Sequence, residues 1–83
     1  MALRVQKDDG SDVLVVDTID ENVGIGTNNP QSKLDINTTT GAVILPRLTT
    51  TQRDALTAID GMIIFNTTIP AVQAHYSSSW NSL

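Results

Sequence analysis

Two short motifs contain residues of the types that bind nucleotides or catalyse hydrolysis. Gly24 and Gly26 follow a strand-like segment, as do the first two glycines of a dinucleotide-binding loop. The third glycine of that pattern is missing, and Pro30 stands where its helix would begin. His75 precedes the serines at residues 77–79, but no nucleophile elbow surrounds them. We therefore predict no catalytic site, no cofactor and no enzymatic activity.

Acidic residues are concentrated near the N terminus, where they could bind a cation. The aspartates within residues 8–12 lack the ligand spacing and the terminal glutamate of a calcium loop, which favours a solvated turn. With one histidine and no cysteine, we predict no metal site within a single chain. Symmetry would multiply every ligand in an assembly of identical chains, so an axial ion at residues 17–21 or at His75 stays an open alternative.

The chain is too short to stabilise a large core on its own. It has 83 residues, and a domain of this size buries only about 60% of the surface that its unfolded chain exposes. Because there is no cysteine, a disulfide cannot supply the missing stability. We therefore expect the chain to be stabilised by association with other chains.

Charge and composition argue against two classes of partner. The net charge is −4, and the five Lys and Arg residues are scattered, whereas nucleic-acid binding requires clustered cations. Apolar residues make up 40% of the chain and form no run that is long enough for a membrane span. We predict neither nucleic-acid binding nor membrane insertion.

The N-terminal part has the pattern of short strands. Leu3–Lys7 alternates, Asp8–Ser11 is typical of a turn, and Val13–Val16 is a continuous apolar run, which together predict a hairpin. Side chains that are apolar on both faces of a strand need cover on both sides, which neighbouring chains could provide. In residues 23–26, glycines alternate with aliphatic residues and permit close approach of another backbone. A further short strand is predicted at residues 34–36.

The C-terminal part combines apolar strands with one helix. Residues 42–45 form an apolar run that predicts a buried strand ending at Pro46. Thr51 and Asp54 have capping-box spacing, which predicts a helix at about residues 51–59. Strands are predicted at residues 62–65 and 72–76, with Trp80 beginning a last short segment. The fold class is therefore mainly β with one short α-helix, divided into residues 1–37, a β-hairpin and stem segment, and residues 38–83, a C-terminal cap.

Three segments resemble elements of bacteriophage tail-fibre and related virion fibre proteins. Residues 23–36 resemble their VGIGT-x-x-P-x-x-KLDV stalk element, and residues 42–56 resemble their LLPRMTTAQRDA element. Residues 61–80 are similar to their ending, in which an N-T-T motif precedes a tyrosine and a tryptophan. The resemblance covers about residues 13–83 and implies an intertwined homotrimeric fibre stem with a small β-rich C-terminal cap.

On this interpretation the apolar runs are buried between or against partner chains. Gly24 and Gly26 are predicted to be close-packing glycines. The predicted trimer core consists of aliphatic and aromatic strand residues, namely Val13, Val15, Val23, Ile25, Leu34, Ile36, Val43, Ile44, Leu45, Ile63, Ile64 and Phe65.

The aromatic residues near the C terminus allow two interpretations. Tyr76 and Trp80 are two of three aromatic residues, and burial of Trp80 under the cap or between chains is the first interpretation. The alternative is a receptor-contacting tip formed by His75, Tyr76, Ser78 and Trp80.

We predict a structural fibre or spike component of a virion or phage-tail-like particle, located on the tail fibre or capsid surface. Its partners would be two further copies of itself, other virion or tail proteins, and a host cell-surface glycan or protein at the tip. The alternative is a decoration protein that docks on a capsid or baseplate through its Leu3–Val16 hairpin.

Overall fold

The computed structural model describes residues 3–83, which form eight strands and one short helix. Strands account for 41% of the described residues, which confirms the predicted mainly β fold with a single short helix. The elements are β1 (Leu3–Gln6), β2 (Asp12–Asp17), β3 (Asn22–Ile25), β4 (Leu34–Ile36), β5 (Arg47–Leu48), α1 (Thr50–Asp54), β6 (Ile63–Asn66), β7 (Ala71–Tyr76) and β8 (Ser79–Ser82).

The chain divides into two compact units, residues 1–42 and residues 43–83. Each unit contains one four-stranded sheet, with strand order β1-β2-β3-β4 in the first and β5-β6-β7-β8 in the second. The boundary between the two units lies after Ala42, whereas the sequence predicted a boundary after Asn37.

The first sheet begins with the predicted hairpin, which the structure confirms. β1 and β2 pair antiparallel, with Leu3 opposite Val16. In the connecting turn, the hydroxyl and the backbone N–H of Ser11 donate to Asp9 Oδ1 at 2.7 and 2.9 Å. These bonds, the hydroxyl first, lower the pKa of the Asp9 carboxyl. β3 continues the sheet antiparallel to β2, and β4 adds a parallel edge next to β3.

One face of the first sheet is covered by the chain that follows β3. Val15 is fully buried there, and Gly24 and Pro30 are also buried. A Cβ at Gly24 would lie 2.7 Å from the Thr27 carbonyl oxygen, so this loop lies directly against the sheet. Gly26 has a φ of 76° and faces the Asn37 carbonyl oxygen. Both glycines therefore approach the backbone of their own chain closely.

The helix of the second unit begins and ends earlier than the sequence predicted. Its N-cap is Thr49, whose hydroxyl accepts from Gln52 N while Gln52 Oε1 accepts from Thr49 N, which is a capping box. The predicted Thr51–Asp54 capping box does not form. The Thr49–Gln52 pair, which has the same spacing, caps the helix instead, and the helix ends at Asp54 rather than near residue 59. Leu56 and Ile59 are exposed, so neither side chain docks the helix on the sheet.

We predict that Gly24→Ala lowers the free energy of unfolding by about 1–3 kcal/mol, since the new methyl group would force the Thr27 backbone away from the sheet. Denaturant unfolding at equal protein concentration measures this. Gly41→Ala is the matched control, because a Cβ there would meet only the Thr38 side chain, at ordinary distances of 3.5 and 4.0 Å. Equal stability of the two variants would refute the close approach at Gly24.

Candidate functional site

The second sheet has two faces of different character. Residues directly opposite each other on paired strands point to the same face. Ile64 pairs with Gln73, and both are buried, whereas Phe65 pairs with Val72 and both are only partly buried. One face of this sheet is therefore covered within the chain, and the other is open.

A buried polar cluster holds the covered face together. Asn66 is 0% exposed and Gln73 is 4% exposed, and they are the buried polar residues of the described chain. Asn66 Nδ2 donates to Gln73 Oε1 and to Thr50 Oγ1, both at 3.0 Å. Asn66 Oδ1 accepts from the backbone N–H of Thr68 at 2.9 Å. Within residues 3–83, no buried side-chain nitrogen or oxygen lacks a partner, so the cluster avoids the cost of unsatisfied polar groups.

The same cluster fixes the short helix on the sheet. Arg53 Nη1 donates to Gln73 Oε1 at 2.9 Å, and Arg53 Nη2 donates to Asp54 Oδ1 at 2.8 Å. The guanidinium carbon also lies 6.0 Å from the centre of the Trp80 ring. Because the helix has five residues and no buried side chain, these polar contacts rather than apolar packing hold it in place.

The four residues of the predicted tip do not share one surface. His75 and Trp80 pair across β7 and β8 and contact edge to face, with ring centres 5.1 Å apart. His75 Nδ1 lies 2.7 Å from Asp60 Oδ1, which also accepts from Ser78 N at 3.3 Å. Tyr76 alternates to the other face of β7 and is exposed. Tyr76 is therefore the aromatic side chain of this set that is available to a partner.

The open face carries a cluster of apolar side chains around a groove of about 240 Å³. Arg47 stands at the edge of this groove. We call the apolar residues the cap face: Val43, Ile44, Leu45, Ile63, Phe65 and Val72.

Residues 43–45 line this groove, and residues 42–45 form no strand, so the predicted buried strand is wrong for the single chain. Val43 and Ile44 are exposed and Leu45 is partly buried. Pro46 has no N–H to donate to a strand ladder, although its carbonyl oxygen accepts from Phe65 N at 2.9 Å. Regular pairing therefore begins only at Arg47, the first residue of β5.

The residues of the predicted trimer core fall into different environments. Val15 and Ile64 are buried inside their own units. The remaining members are exposed or partly buried in the single chain, namely Val13, Val23, Ile25, Leu34, Ile36, Val43, Ile44, Leu45, Ile63 and Phe65. The polar cluster of Asn66 and Gln73 was not predicted. Its one signal in the sequence is an asparagine directly after an apolar strand and before two threonines, which is typical of a side-chain-capped turn.

Among residues 3–83, the histidine, aspartate and glutamate side chains form no group of three or more that could hold a metal ion. The single helix of that part of the chain is too short to cross a membrane.

Comparison with known protein families identifies the class of protein to which this geometry belongs. Residues 24–83 match the family described as phage tail like trimerisation region. Since the match covers more than half of the chain, the protein belongs to this family. It is a trimeric structural component of phage-tail type. Comparisons with curated proteins and with solved structures found no match.

We predict that Asn66→Ala lowers the free energy of unfolding by about 3 kcal/mol, because it removes the hydrogen bonds to Gln73 and Thr50 at a buried site and leaves the Thr68 N–H without its acceptor. Thermal and denaturant unfolding measure the change. Asn28→Ala, the same substitution at an exposed loop position, is the control and leaves stability within about 0.5 kcal/mol of the wild type. An unchanged midpoint for Asn66→Ala would show that the cluster does not stabilise the unit.

Proposed function

We propose that the cap face is the surface through which three copies of the chain associate. The observation that carries this proposal is an uncovered apolar sheet face located within the residues that match the trimerisation family. Ile44, the middle residue of the 43–45 segment of the cap face, is 76% exposed in the single chain. A soluble chain rarely keeps such a contiguous apolar surface in water unless it is an interaction site.

The chemistry of the cap face suits association with a copy of itself. Its six residues are aliphatic or aromatic, so its contacts are driven by removal of apolar surface from water. Full burial of one isoleucine side chain contributes about 1.5–3 kcal/mol. Burial of several such side chains in each chain is comparable to the whole stability of a small domain. Assembly then adds to the stability of each folded chain, and the measured stability depends on protein concentration.

In this proposal the protein is a fibre or spike component in which the first unit acts as the stem and the second as the cap. The covered face of the second sheet, with Asn66 and Gln73, gives each cap a fixed shape before assembly. The cap face then makes the contact between copies. The role of the protein is structural, and its biochemical activity is association.

We further propose that the β7–β8 turn contacts a host surface molecule. Ser77 and Ser78 form this turn with φ values of 52° and 62°, a conformation that residues other than glycine and asparagine adopt at a cost. Tyr76 is exposed beside them. An aromatic ring next to hydroxyl groups suits the face of a sugar, and strain of this kind is concentrated at functional loops.

We expect Ile44→Asp to dissociate the trimer while each chain keeps its secondary structure, because the side chain has no buried environment in the single chain. Ile19→Asp is the matched control. Ile19 is 83% exposed in the β2–β3 turn, outside the cap face. Light scattering over a dilution series, with circular dichroism on the same samples, separates the two variants. A stable trimer of Ile44→Asp would place the contact elsewhere.

We expect Tyr76→Ala to reduce adsorption of the purified trimer to host cells by at least about tenfold, the loss that corresponds to 1.4 kcal/mol. Tyr76→Phe keeps the ring and should retain adsorption. The mass of each variant is checked by light scattering. Equal adsorption of wild type and Tyr76→Ala trimers would contradict the proposed contact, and dissociation of Tyr76→Ala would place Tyr76 in the interface instead.

A further inference from the structure

The sheet of the first unit also leaves one face uncovered, and this face is built from two rows of aliphatic side chains. Paired residues share a face, so the register of the four strands defines each row. We call this set the stem face. The first row is Leu3, Val16, Val23 and Leu34, and the second row is Val5, Leu14, Ile25 and Ile36.

The stem face runs across all four strands without interruption. On the edge strands, Leu3, Val5 and Leu34 are exposed, with Leu34 at 58%, and Ile36 is partly buried. Ile25 on an inner strand is still 40% exposed. The opposite face of the same sheet contains the fully buried Val15. The sheet is therefore packed on one side only within its own unit.

The composition of the stem face determines what kind of partner fits it. Both rows contain only leucine, valine and isoleucine, with no charged side chain and no side-chain hydrogen-bond donor. A sheet face that stays in water normally carries polar residues in these positions. An anion, a sugar or a nucleic acid would find no polar group to bind. The partner must itself present a flat apolar surface.

The chain itself provides such a surface, and its family match reaches into the stem face. The match begins at Gly24 and so includes Ile25, Leu34 and Ile36, whereas the other five stem-face residues lie before it. The stem face is thus continuous with the part of the chain that belongs to the trimerisation family. A second copy is the occupant that this continuity favours.

We propose that the stem faces of three copies pack against one another around the three-fold axis and form a second trimer contact, made largely by residues outside the matched region. This inference rests on the proposed trimeric function and assigns it a further surface. In a three-fold arrangement, equivalent residues of the three chains lie around the axis. Side chains of the inner strands, such as Leu14 and Ile25, would approach their counterparts in the other copies.

The proposal differs from what the sequence alone indicated for the Val13–Val16 run. The predicted trimer core contained Val13 and Val15, which are alternate residues of β2. The register instead places Leu14 and Val16 on the open face, while Val15 is buried within the unit. A shift of one residue in a strand exchanges its two faces. The residues to be changed in the experiment are therefore on the face of Leu14 and Val16, not on that of Val15.

Cysteine crosslinking of the full chain tests the stem contact directly, because the protein contains no cysteine of its own. Ile25→Cys places a thiol on an inner strand of the stem face. Asn28→Cys is the matched control, since residue 28 is exposed in the loop that covers the opposite face. Light scattering first measures whether each variant has the mass of a trimer. Each variant is then treated with a trifunctional maleimide and analysed on a denaturing gel.

The expected result is a covalent trimer for Ile25→Cys and only single chains for Asn28→Cys. Leu14→Cys, in the same row, should behave like Ile25→Cys. Two variants are used so that the result does not depend on a single substitution that disturbs packing. Folded single chains from both stem-face variants, when Asn28→Cys remains trimeric, would also support the contact.

Two results would overturn the proposal. The first is a trimer in which neither Ile25→Cys nor Leu14→Cys is crosslinked. If their thiols also react with a monofunctional maleimide as fast as the thiol of Asn28→Cys, the stem face is free. Stem-face thiols that are reactive in the free trimer, but protected when it is bound to purified phage-tail particles, would assign the face to another particle protein. A wild-type chain that is monomeric would refute the proposed function itself, which is a separate outcome.

Discussion

Each of the two sheets is covered on only one face, and the rest of the molecule is organised around this constraint. In the first unit, the loop after β3 packs over Gly24 and buries Val15. In the second unit, the helix and the Asn66–Gln73 cluster cover one side. The opposite faces carry clusters of apolar side chains that are exposed or only partly buried in the single chain. Among residues 3–83 no further element covers them, and the chain belongs to a trimerisation family, so we propose that copies of the chain close them.

The two covered faces are closed by different means, which bears on their roles. The first uses aliphatic packing and glycines that allow the backbone to approach closely. The second uses a buried polar cluster in which every buried side-chain nitrogen and oxygen has a hydrogen-bond partner. Such clusters tolerate little displacement, because each lost bond leaves a buried polar group unsatisfied. The second unit therefore has a defined shape, and the trimeric family to which the chain belongs requires defined surfaces for symmetric assembly.

Much of the fold could be predicted from local patterns. The Asp8–Ser11 turn between two apolar strands correctly indicated the β1–β2 hairpin. The helix was placed by a capping-box spacing that occurs twice in overlapping positions, and the chain uses the pair at Thr49 and Gln52. Local spacing cannot distinguish the two, because the choice depends on Thr50 and Arg53 reaching Asn66 and Gln73, which are distant in the sequence.

The candidate interaction surfaces were harder to predict because they depend on strand register. Apolar runs such as Val13–Val16 contain side chains for both faces, and only the pairing with β3 shows that Val15 points inward. Likewise, the apolar run at residues 42–45 predicted a buried strand. The run itself does not show that regular pairing begins only after Pro46, at Arg47.

The central claim, that the uncovered faces are closed by copies of the chain, is tested most directly by the mass of the wild-type protein in solution. Light scattering across a dilution series, with circular dichroism on each sample, measures size and folding together. We expect a folded, β-rich species with three times the 8.9 kDa chain mass, and we expect that mass to stay constant on dilution. A folded monomer with unchanged circular dichroism at every concentration would contradict it.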